Sequence, residues 1–113
     1  MEKLFEKLKE YLHMETEIPY EEFTEYYRGL LDELNANFNS YDQDTCIKAK
    51  YICSIVQANA ESRAQRSKSN AKAYKKIAAK CGFWSDAIAF RLRKEGMTQA
   101  DIDKATEAIN ESI

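Results

Sequence analysis

The stretch Cys46–Ala60, CIKAKYICSIVQANA, is apolar on most of a helical circumference. Ile47, Tyr51, Ile55 and Ala58 form one face at helical spacing, and Ala49, Cys53, Val56 and Ala60 form another. A helix of this kind must be covered by other elements, because one apolar stripe is all a surface helix can bury. The pattern therefore predicts a central helix over about residues 42–60 with the rest of the chain packed around it. No glycine or proline occurs between Gly29 and Gly82. Tight turns depend on those residues, which argues against a sheet of hairpins. A chain of 113 residues is one domain long and can bury a core without staples. The expected fold is all-α: a compact single-domain array of five or six helices around the central one.

The flanking segments fit that frame. Leu4, Phe5, Leu8 and Leu12 form an apolar stripe over residues 1–13, with Glu and Lys opposite. Pro19 marks the start of a second helix, with Glu21 and Glu22 in its first turn, where the helix dipole favours acids. Its expected core face is Phe23, Tyr27, Leu30, Leu31, Leu34 and Phe38, and Gly29 within it suggests close approach of a neighbour. Ser40 and Gln43 have capping-box spacing ahead of the central helix. Residues 61–70 show no apolar face, and a break there is the slightly favoured reading, with Ser67 or Ser69 capping a fourth helix. Gly82 is expected to end that helix, with Phe83 folding back onto it. A further helix over 85–95 is expected to stop at Gly96, with Met97 contacting Leu92. Thr98 and Asp101 then cap the last helix, whose stripe is Ile102, Ala105, Ile109 and Ile113.

Charge is segregated along the chain. Residues 1–45 hold twelve acids and four bases, residues 46–95 twelve bases and three acids, and residues 96–113 four acids and one base. Seven of the twelve bases in residues 46–95 are Arg63, Arg66, Lys68, Lys72, Lys75, Lys76 and Lys80, with Glu61 the one acid near them. Such a ribbon suits phosphate or an acidic protein surface, unless the acidic ends of the chain neutralise it. Seven tyrosines, with Tyr26 off the stripe of its own helix, and the pair Trp84 and Phe90 are candidate interface aromatics.

The stretch Tyr74–Gly96 resembles the helix-turn-helix of bacterial repressors over about twenty residues. Ala78 stands at the crossing point, Gly82 four positions later at the turn, and Ile88 six further on at the lock of the second helix. The resemblance implies a helix-turn-helix-like unit at about 69–95 presenting Trp84, Ser85, Asp86, Ala89, Phe90 and Arg93. One arginine, one aspartate and two large aromatics are poor chemistry for reading base edges. A packed helical hairpin therefore leads over a DNA reader.

Other functions find little support. Glu10 and His13 have di-iron bundle spacing, but the chain has no second histidine, and a third class of function would need a polar cavity beside them. There is no phosphate-cradling glycine loop, no nucleophile motif and no cofactor signature. Three cysteines without a signal segment suggest buried thiols in a reducing cytoplasm, and no apolar run is long enough for a membrane span. The expectation is a non-enzymatic module, without metal, cofactor or small-molecule substrate, that binds a protein partner or itself. The alternative is a nucleic-acid-binding regulator using the basic 63–80 face and the 74–96 unit.

Overall fold

Five α-helices and one short 3₁₀ turn account for most of the chain in a computed structural model that describes all 113 residues. The helices are α1 (Glu2–Leu12), α2 (Tyr20–Asn37), α3 (Gln43–Arg66), α4 (Ala71–Lys94) and α5 (Gln99–Ser112). The 3₁₀ turn spans Phe38–Ser40. The expected central helix is α3, and it touches α1, α4 and α5. Ala49, Ile52, Cys53 and Ala60 on it are wholly sealed from solvent.

α3 and α4 form an antiparallel hairpin. Lys50 Nζ donates to Ser85 Oγ at 2.8 Å, Gln57 stands opposite Gly82, and Arg63 Nη1 reaches the Tyr74 hydroxyl at 3.4 Å. Small residues recur among those the two helices bury: Ala49, Cys53, Ala60 and Ala64 on α3, and Ala78, Cys81, Ser85 and Ala89 on α4. Small side chains let two helix axes approach to the short end of the usual 8–10 Å range. At about 1.5 Å per residue each helix is roughly 36 Å long, and together they set the 43 Å long axis.

This packing corrects the helix-turn-helix reading. Gly82 lies in the middle of α4, and the one glycine with positive φ is Gly96, at +106°. A turn glycine and a close-packing glycine look alike in sequence. Here the small-residue seam against α3 continues across residue 82, where a Cβ would stand 3.1 Å from Gln57 Nε2. The fold consequently has five α-helices, and residues 69–95 hold a single long one instead of two.

The expected break does fall within residues 61–70, at their C-terminal end. α3 continues past Ala60 to Arg66 because Arg63 and Ala64 are buried, and the connection is Ser67–Asn70. Ser67 Oγ accepts the Asn70 N–H at 3.0 Å, but no side chain caps α4 itself. At the start of α3, Asp42 is the cap, accepting the Thr45 N–H at 2.8 Å. Ser40 instead closes the 3₁₀ turn by donating to the Asn37 carbonyl. Two terminal signals behave as expected. Met97 N–H bonds the Leu92 carbonyl at 3.0 Å and Gly96 N–H that of Arg93 at 3.1 Å, a Schellman ending. Thr98 and Asp101 form a reciprocal capping box.

The two glycines should respond oppositely to alanine. Gly82→Ala removes a helix-interior glycine and displaces only the amide end of Gln57, so it should be neutral or stabilising by up to about 1 kcal/mol. Gly96→Ala forces a Cβ into a left-handed position and should lose about 1 kcal/mol. Urea denaturation of both variants checks the sign; a loss of more than about 1 kcal/mol at Gly82 would restore the turn reading.

Candidate interaction surface

The seven cations of the 63–80 stretch do not form one face. Arg63 is only 7% exposed. Its guanidinium stacks 4.4 Å from the Phe23 ring, and Nη1 donates to the Ile18 carbonyl at 2.9 Å. Arg66, three residues on, lies outside and grips Glu17 with both terminal nitrogens, at 2.7 and 3.1 Å. That pairing, chiefly the hydrogen bond from Arg66, holds the Glu17 carboxyl below the usual carboxylate range. Sequence spacing cannot separate the two arginines. Tertiary packing does so, because a long side chain rooted beside Ile18 can bury its stem and planar head together.

The other five cations, Lys68, Lys72, Lys75, Lys76 and Lys80, are exposed and make no ion pair. The acidic first part of the chain reaches the basic middle through Glu2 to Lys48 and Glu17 to Arg66. Internal neutralisation therefore stops short of α4.

The aromatic candidates separate as well. Tyr26 is buried and donates its hydroxyl to the Leu4 carbonyl at 2.7 Å, so it joins α2 to α1 and offers no interface. The core face of α2 is rotated accordingly: Tyr26 is inside, and Tyr27 and Leu31 are half-buried. Trp84 is half-buried, edge-on to Phe38 at 5.4 Å, and its indole N–H has no hydrogen-bond partner. Arg91 fixes this corner by donating to the carbonyls of Phe38 and Tyr41 and lying 5.1 Å from the Phe38 ring. Phe90 is 58% exposed.

The residue missed in sequence is Phe83, which is 61% exposed instead of folded onto its helix. Once α4 runs through Gly82, Phe83 and Phe90 stand seven residues apart on one stripe, about 10 Å along the axis. Lys72, Lys76 and Lys94 share that stripe, with the acid Asp86 between the rings. Lys80 Nζ lies 5.2 Å from the Phe83 ring and Lys94 Nζ 5.5 Å from the Phe90 ring. The i, i+7 spacing brings the pair together only on a helix that continues through Gly82.

Elsewhere, chemistry-bearing groups stay apart. His13 is the exposed C-cap of α1, and Glu10 pairs with Lys7 at 3.1 Å. No group of three His, Cys, Asp or Glu side chains is placed to hold a metal ion. All three cysteines are free and buried, and burial pushes the Cys81 thiol up to about 12 and that of Cys53 higher still. No helix is long and apolar enough to cross a membrane.

Two measurements check this arrangement. Arg63→Ala should destabilise by about 2–4 kcal/mol, from lost hydrogen bonds and lost packing, whereas Arg66→Ala, which removes an exposed pair, should leave the unfolding midpoint nearly unchanged. Equal effects in thermal unfolding would show that the two arginines share one environment. Ellman's reagent at pH 8 should leave the native chain unlabelled and count three thiols after unfolding. No family model, no curated protein and no solved structure matches the chain.

Proposed function

We propose that the chain is a non-enzymatic binding module of the cytoplasm that docks a protein partner on the outer face of α4. The observation that carries this reading is the exposure of Phe83 and Phe90 on one stripe of a rigid helix, each ring with a lysine over it. Two large aromatics held in water on a well-packed helix lose apolar burial that a partner restores, and aromatic anchors dominate the centre of protein interfaces. The unpaired lysines around them select a partner that combines apolar side chains with acids, and they speed its approach more than they tighten the complex. Three buried free thiols suit a reducing compartment.

A second reading draws on the lysines alone: Lys68, Lys72, Lys75, Lys76 and Lys80 suit a nucleic-acid backbone, without any groove-reading helix. Affinity would then fall steeply with salt through counterion release.

The test compares the wild-type chain with Phe83→Ser/Phe90→Ser and with Lys72→Glu/Lys75→Glu/Lys76→Glu. Both sets alter exposed positions and should leave the melting temperature nearly unchanged. Affinity capture and light scattering should show a bound protein, or a second copy, that the phenylalanine variant loses and the lysine variant binds more slowly. Identical recovery by wild type and phenylalanine variant overturns the docking face. Loss of duplex DNA binding in the lysine variant alone would put the second reading first.

A further inference from the structure

The four large apolar side chains most exposed on this protein fall in two places. Phe83 and Phe90 belong to α4. The other two, Leu12 at 40% and Met14 at 47%, stand at the rim of a cavity of about 230 Å³ between the end of α1, the 13–19 connector, α2 and α3. Its walls are largely apolar, with Leu8, Ile18, Phe23, Ile55 and Val56 among them, and the guanidinium-bearing Arg63 forms part of the lining. Tyr11, Thr16, Asn59 and the acids Glu15 and Glu17 supply the rest of the polar lining.

Arg63 is the unusual member of that wall. It is buried, no carboxylate lies within ion-pair distance of it, and its Nε–H has no partner. Nη1 is occupied by Ile18 and Tyr74 and Nε is sealed from solvent, so Nη2 is the nitrogen left to donate a charge-assisted hydrogen bond to an anion. The Phe23 and Tyr74 rings offset part of the charge. Two acids lie on the lining besides it. Glu17 is bound by Arg66, and Glu15 is exposed at the outer edge.

We propose that this cavity is a binding site for a small monocarboxylate with an unbranched apolar body, of the chemistry of a medium-chain aliphatic acid. The chain lies against Leu8, Ile55 and Val56, and the carboxylate accepts from Nη2 of Arg63. The ligand covers Leu12 and Met14 and supplies the anion that the buried guanidinium lacks. The site is separate from the α4 face, and neither depends on the other.

The experiment is a titration of the full ¹⁵N-labelled chain with sodium octanoate, read at the backbone amides of residues 12–18 and at the arginine Nε–H signals. Saturable shifts at both places are expected, with affinity rising about fourfold per methylene from butanoate until the cavity is full. Octan-1-ol, with the same chain and no charge, should bind at least about tenfold more weakly. Arg63→Gln should erase that discrimination. Because Arg63 also supports the fold, Ile55→Trp is the second variant: it fills the cavity, leaves Arg63 in place and should abolish binding in a chain that circular dichroism shows folded. Absence of saturable shifts, octanol binding as tight as octanoate, shifts confined to the α4 lysines, or unimpaired binding to a folded Ile55→Trp chain would each overturn the proposal.

Discussion

Everything in this fold depends on how closely α3 and α4 approach. Alanines, cysteines and a serine recur among the buried residues of both helices, and Gly82 meets Gln57 where they face. Such a seam gains contact energy from many short-range contacts, each tiny. It also leaves the larger side chains of both helices free for other neighbours. Tyr51 of α3 meets Phe5 of α1 and donates to Asn110 of α5, and Tyr74 of α4 meets Tyr20 and Phe23 of α2. The hairpin is thus the spine, and the outer helices attach through its aromatics.

The polar groups buried at the edges of that spine pin the outer elements in place. Arg91 reaches across to the carbonyls that end α2 and precede α3, and Arg63 reaches the carbonyl before α2. Each satisfies backbone acceptors that a loop would otherwise leave unpaired. The two arginines differ in what remains. Arg91 also pairs with Glu95 at 3.0 Å, whereas Arg63 has aromatic rings for company and no anion. Beside an apolar hollow, a buried guanidinium without an ion pair is a ready donor for an anion.

The surface obeys the same geometry. Because α4 is continuous, its outer stripe runs unbroken from Lys72 to Lys94 and carries Phe83 and Phe90 midway. A turn at Gly82 would have scattered those side chains onto two helices. The acidic first helices lie on α1 and α2, away from this stripe, and their ion pairs with the basic stretch go to Lys48 and Arg66. The α4 lysines accordingly carry positive charge that no acid of the chain pairs.

Local chemistry alone determined much of this. The all-α class, the central position of α3, the Thr98–Asp101 cap and the Gly96 ending were legible because each is set by periodicity or by a backbone demand of a few adjacent residues. The length of α3 and α4, the roles of Gly82 and Phe83, and the split between Arg63 and Arg66 were not. Gly82 can end a helix or admit a neighbour, an arginine can be a surface charge or a buried clamp, and Tyr26 or Tyr27 can face inward. In every such case the sequence permits both states at nearly equal local free energy. The choice is made by the group that stands opposite: Gln57 for Gly82, the Ile18 carbonyl and the Phe23 ring for Arg63, and the Leu4 carbonyl for Tyr26. Those partners are distant in sequence, so only the tertiary structure could decide.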